Sequence, residues 1–102
     1  MNENFEMKYA IAKQLMEDLQ AYYLKVRDDS HAHRHHVSRP DSPHTHFAIT
    51  VVSDAFSGTS PVKRHQRVYA LLDTFFKQGL HAVQITAKTP AEWYTGTKAG
   101  VA

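Results

Sequence analysis

THFAITVVSDAFSGTSPVKRHQRVYALL, residues 45 to 72, reads as a strand, a turn and a helix in that order. Phe47, Ile49 and Val51 alternate with Ala48, Thr50 and Val52, the two-residue period of an extended chain. Both sets are apolar or β-branched, which predicts a central strand covered on both faces. DAFSGT then breaks the pattern as a turn hinged at Gly58. Ser60-Pro61 is a helix start: a serine hydroxyl can accept from a first-turn N–H, and proline is tolerated at the first helical position. Val68, Leu71, Leu72, Phe75 and Phe76 continue as an apolar stripe, and Gly79 closes the helix. HAVQITAKT, residues 81 to 89, is a further strand with His81, Val83, Ile85 and Ala87 on one face. A strand–helix–strand unit favours a right-handed crossover and parallel pairing.

Upstream, Phe5, Tyr9, Ala12, Leu15, Met16 and Leu19 recur at helical spacing, predicting an amphipathic helix over about residues 4 to 20. YYLKVRD alternates as a strand, with Tyr22, Leu24 and Val26 on its buried side. It can pair antiparallel with the strand that follows. Downstream, Thr89-Pro90-Ala91-Glu92 has the form of a capped helix start. That helix is expected to be short, to carry Trp93, and to give way to a mobile tail over 95–102. The order α-β-β-α-β-α predicts an α+β fold with a three-stranded mixed sheet packed by helices. The 102 residues suggest a single domain.

Composition narrows the function classes. A formal charge of +2 is too small to imply a nucleic-acid partner by itself. There is no cysteine, so the chain cannot build a disulfide or supply thiolates to a metal. The N-terminus is acidic and lacks a long apolar run, so neither a leader peptide nor a membrane span is expected, and a cytoplasmic location fits (nuclear in a eukaryote). No nucleophile–base arrangement stands out around Ser53, Ser57 or Ser60, so a non-enzymatic role is expected.

Between the first two strands lies a loop, residues 28–46, marked by Pro40, Pro43 and polar residues. Of the chain's eight histidines, His31, His33, His35, His36, His44 and His46 fall here. Read alone, they are a polar loop or a site for a borderline metal. His81, at the head of the last strand, reads alone as a structural histidine.

The strand opening at His46-Phe47, VVSDAF, Gly58, RHQRVYALL, LHAVQITAKTPAEW and VRDDSHAH, in this order and spacing, resemble the BolA family over roughly residues 8 to 93. The resemblance implies a fold similar to class II KH domains. It also implies a non-enzymatic adaptor in iron–sulfur protein maturation or iron regulation, sharing a [2Fe–2S] cluster with a monothiol glutaredoxin. The glutaredoxin would supply its cysteine and a bound glutathione thiol. Carried onto this chain, the ligands would be His81 and His33, with His36, His35 or His31 as substitutes for His33. Imidazole for thiolate removes negative charge from such a cluster.

Two other readings stay open. Lys63, Arg64 and Arg67 form a basic cluster on the predicted helix, which suits phosphate contacts in a nucleic-acid-binding regulator of stress response. No GxxG loop of the kind KH domains use for RNA is present. A metal-dependent hydrolase built on the histidine-rich loop is the weakest reading. A weak homodimer is compatible with all three.

Overall fold

The computed structural model describes residues 3–30 and 46–101. Its elements are α1 (Glu3–Leu19), β1 (Tyr23–Asp28), β2 (His46–Val52), α2 (Pro61–Leu71), α3 (Asp73–Lys77), β3 (Ala82–Lys88) and α4 (Pro90–Val101), with a 3₁₀ turn at Asp54–Phe56. The sheet order is β1-β2-β3, antiparallel between β1 and β2 and parallel between β2 and β3. This is the α+β, mixed-sheet architecture that the hydrophobic periods predict.

The core is built on one face of the sheet. Val26, Phe47, Ile49, Val51 and Ile85 point inward, against Ile11, Leu15 and Leu19 of α1, Val68 of α2 and Phe75 of α3. Phe47, Val51, Ile11, Leu15, Val68 and Leu72 are fully buried. Burying a side chain of this size contributes about 1.5–3 kcal/mol. Ser53, also buried, ties the layers together: its hydroxyl donates to the Leu19 carbonyl at the end of α1 and accepts from the Ala55 N–H at 3.0 Å.

Four details depart from the sequence reading. β2 is central, but its second face is covered only at Val52, where α4 crosses: Ala48 and Thr50 are half-buried beside exposed Lys25, Arg27, Gln84 and Thr86. Apolar and β-branched content marks a central strand without revealing how little of its outer side a helix covers. Tyr22 precedes β1 and is 67% exposed, because its hydroxyl turns outward to donate to Asp54 at 2.9 Å. The predicted single helix is two, α2 and α3, broken at Leu72 (φ −93°, ψ 2°). The Leu71 carbonyl next to the break accepts from the Gln14 side chain at 2.9 Å, a substitute for a lost helical bond. Finally, α4 runs to Val101, further than the short helix expected before a tail at 95–102. Gly96 and Gly100 weaken helix propensity by about 1 kcal/mol each, which is why the sequence suggests an earlier end.

The caps follow the sequence reading. Ser60 accepts from the Lys63 N–H at 3.3 Å, with Pro61 in the first turn. Thr89 and Glu92 cap α4 reciprocally: Thr89 N–H donates to Glu92 at 2.9 Å, and Glu92 N–H to the Thr89 hydroxyl at 3.2 Å. Gly58 (φ +72°) and Gly79 (φ +115°) occupy backbone that other residues enter at a cost.

Candidate functional site

Parallel pairing places the starts of β2 and β3 side by side, with His46 opposite Ala82. Antiparallel β1 finishes at the same end, with Asp28 opposite Phe47. The residue just before β3 is His81, which is exposed. Four residues of this sheet end brace one another. Asp29 N–H donates to the His46 carbonyl at 2.8 Å, His46 N–H to the Ser30 hydroxyl at 3.1 Å, and Ser30 N–H to the Asp28 carboxylate at 2.9 Å. Arg27 forks onto Asp29 at 2.8 and 3.1 Å.

Ser30 and His46 are therefore the two roots of the histidine-rich segment, and both sit at the edge that carries His81. β1 and β3 are two strand spacings apart, about 10 Å. His33, with His31, His35, His36 and His44, lies outside the described residues. Strand pairing takes in Asp28 and His46, the two ends of the loop predicted over 28–46.

Among the described residues, no group of three or more His, Cys, Asp or Glu side chains is gathered to hold a metal. What this edge offers from the described residues is an accessible imidazole at His81. Imidazole is a sound donor for one iron of a [2Fe–2S] cluster, whose other donors include thiolates. With no cysteine in the chain, thiolates would have to come from another molecule. The donor chemistry fits a cluster completed by a second protein.

The basic helix has a different character. Arg64 is buried at 8% exposure, and it donates to the Thr59 carbonyl at 2.8 Å, the Ala87 carbonyl at 3.1 Å, and both oxygens of Glu92 at 2.7 and 3.1 Å. Its guanidinium also lies 6.0 Å from the Phe56 ring centroid. The hydrogen bond from Arg64, reinforced by that from the Thr89 N–H, lowers Glu92 to about 2. Bonding to Glu92 in turn raises Arg64. Arg64 is thus a clamp joining α2, β3 and α4, whereas the alternative nucleic-acid reading of the sequence placed it on a phosphate-contacting face. Arg67 is exposed and donates to the Ala55 carbonyl at 3.2 Å, and Lys63 is exposed.

The same helix shields the free edge of β3. Tyr69, His65 and Arg64 direct their polar tips to the carbonyls of Val83, Ile85 and Ala87, at 3.4, 3.0 and 3.1 Å. An open strand edge invites unwanted pairing, and this row of side chains occupies its acceptors. His65, in RHQR, is therefore structural. No sequence signal distinguishes Arg64 as a clamp; its partner Glu92 is 28 residues away and is recognisable only as a capping residue.

Comparison with known proteins agrees with this architecture. The family model described as "BolA-like protein" matches residues 15–92. The chain is 46% identical over 86 residues to UV-induced protein uvi31 of Schizosaccharomyces pombe, covering 80% of this chain and 84% of that protein. It is equally 46% identical to SufE-like protein 1, chloroplastic/mitochondrial, of Arabidopsis thaliana, over 80% of this chain but only 23% of that longer protein's length. The solved BolA domain of Arabidopsis SufE1 superposes with a TM-score of 0.75 at 41% identity, covering 90% of this chain and 98% of that one. A protein of Haemophilus influenzae named DNA-binding transcriptional regulator BolA is 32% identical over 81% of this chain and 77% of its own length. The sheet order, the braced root of the loop and the extent of these matches lead to one conclusion: the chain belongs to the BolA-like family.

Proposed function

We propose that this protein is a non-enzymatic adaptor that shares a [2Fe–2S] cluster with a monothiol glutaredoxin, in iron–sulfur protein maturation or iron regulation. The observation that carries the reading is the convergence at one end of the sheet, which carries an exposed His81 and both roots of the histidine-rich segment. His81 supplies one ligand. His33, three residues along the chain from Ser30, supplies the other, with His36, His35 or His31 as substitutes. Three residues reach at most about 11 Å, comparable to the distance between β1 and β3. The partner supplies its cysteine and a bound glutathione thiol, as a chain without cysteine requires.

The cluster is cargo held between two proteins, and this chain's part is to present neutral imidazoles at a braced edge. Imidazole ligation removes negative charge and raises the potential relative to an all-thiolate cluster. The test is to add the chain to a cluster-loaded monothiol glutaredoxin and record visible circular dichroism. A new spectrum that His81→Ala abolishes supports the reading; no spectral change on mixing contradicts it. A cytoplasmic role is proposed, and the name of the SufE-like relative adds plastids and mitochondria as compartments to examine.

A second reading, nucleic-acid binding through α2, is favoured by the name of the Haemophilus relative. With Arg64 engaged internally, Lys63 and Arg67 would carry it. If so, Lys63→Ala and Arg67→Ala would each flatten the salt dependence of duplex binding by about 0.9 in log–log slope.

A further inference from the structure

The outer face of the sheet has no counterpart in either reading. At its centre lies a shallow basin of about 160 Å³ lined by Lys25, Arg27, Ala48, Thr50, Gln84 and Thr86, with Ile49 contributing. Its polar lining includes two cations, two hydroxyls and an amide, and no carboxylate. Strand register explains the gathering. Lys25, Thr50 and Thr86 form one row across the sheet, and Arg27, Ala48 and Gln84 form the next. The row on the other side is Tyr23, Val52 and Lys88. There α4 crosses the face, and Trp93 stacks on Tyr23 with centroids 5.1 Å apart and planes at 21°. Tyr23 remains 39% exposed.

Charge on this face is unbalanced. Arg27 is paired with Asp29 at 2.8 Å, but among the described residues neither Lys25 nor Lys88 has an ion-pair partner, and both are exposed. The face thus sets phosphate-binding groups beside an aromatic shoulder along one strand direction. Tyr23 to Arg27 spans about 13 Å, long enough to follow a short run of backbone.

We propose that this sheet face binds single-stranded nucleic acid, with phosphates along Lys25, Lys88 and the Thr50/Thr86 hydroxyls and a base against the Tyr23–Trp93 shoulder. A flat face with an aromatic edge suits unpaired bases, whose rings are open to stacking. A duplex hides its base faces and would meet only the cations. This site lies apart from His81 and from Lys63 and Arg67, so it stands or falls independently of the cluster reading.

The experiment is fluorescence anisotropy of a labelled oligo(dT) of about twelve nucleotides, a usual site size, titrated with the full chain across a salt series. Two or three phosphate contacts predict a log–log salt slope of about −1.4 to −2.1. Lys25→Ala should reduce the slope by about 0.7. Tyr23→Ala should weaken binding roughly five- to hundredfold, and Tyr23→Phe, which keeps the ring, should not. Circular dichroism of each variant checks that the fold is retained. Lys13→Ala with Lys77→Ala, at exposed positions of α1 and α3, should leave affinity within about twofold, and the matching duplex should bind more weakly. The proposal is overturned by flat anisotropy at low salt, by a Lys25→Ala/Lys88→Ala double variant that binds as the parent does, or by losses that follow Lys63 and Arg67 instead.

Discussion

Replacing Arg64 by alanine separates its role as a clamp from a role as a surface cation. The structure gives the side chain four hydrogen bonds: to the Thr59 and Ala87 carbonyls and to both oxygens of Glu92. The two carbonyls lose a charged donor, at about 1–1.5 kcal/mol each. The Glu92 pair contributes less, because that carboxylate is 45% exposed and regains water when the partner leaves. The sum is about 2–3 kcal/mol. For a domain of this length, that lowers Tm by roughly 10–20 °C. Urea unfolding followed by far-ultraviolet circular dichroism measures it, with thermal scans as a second reading. Arg64→Lys should recover little, since an ammonium cannot reproduce the forked contact. A loss below about 0.5 kcal/mol for Arg64→Ala, the range of an ordinary surface change, would refute the clamp.

Further expectations rest on other parts of the fold. Glu92 is held near 2 by Arg64 and Thr89, below its ordinary 4.5, so its contribution to stability is complete above about pH 4.5 and is lost as pH falls towards 2. The stability difference between the parent and Glu92→Gln should accordingly be constant near neutrality and shrink below pH 4.5, read from urea midpoints. Gln20, which ends α1 at φ +48°, occupies left-handed backbone. Gln20→Gly should stabilise the protein by about 0.5–1 kcal/mol in the same assay. Gly58→Val, at φ +72° with open space around it, should cost about 1–2 kcal/mol through backbone strain alone.

The sequence carries the element order because each element announces itself locally. Alternation marks β2 and β3, the three-four stripe marks α1 and α2, and Ser60-Pro61 and Thr89-Pro90-Ala91-Glu92 mark helix starts whose cap bonds the structure contains. Features set by distant contacts are silent in the sequence. Arg64 and Glu92 resemble solvated residues until folding brings them together. The Leu71 carbonyl beside the break at Leu72 finds its donor in Gln14 of a different helix. The open outer face of β2 depends on which side the helices choose, which periodicity cannot express. For the candidate site, the histidine content of residues 28–46 and the position of His81 are plain in the chain. That the two ends of this segment, Ser30 and His46, meet the same end of the sheet as His81 follows from parallel pairing of β2 with β3 and antiparallel pairing of β1 with β2.

The proposed adaptor role requires histidines of this chain to complete the ligand set of a cluster shared with a thiol-bearing partner. Pulsed electron paramagnetic resonance of the reduced complex, with this chain alone labelled with ¹⁵N-histidine, reads the ligands directly. Couplings from two ¹⁵N imidazoles are expected, one of which disappears in His81→Ala. A spectrum without any ¹⁵N coupling, or one unchanged by His81→Ala, would contradict it.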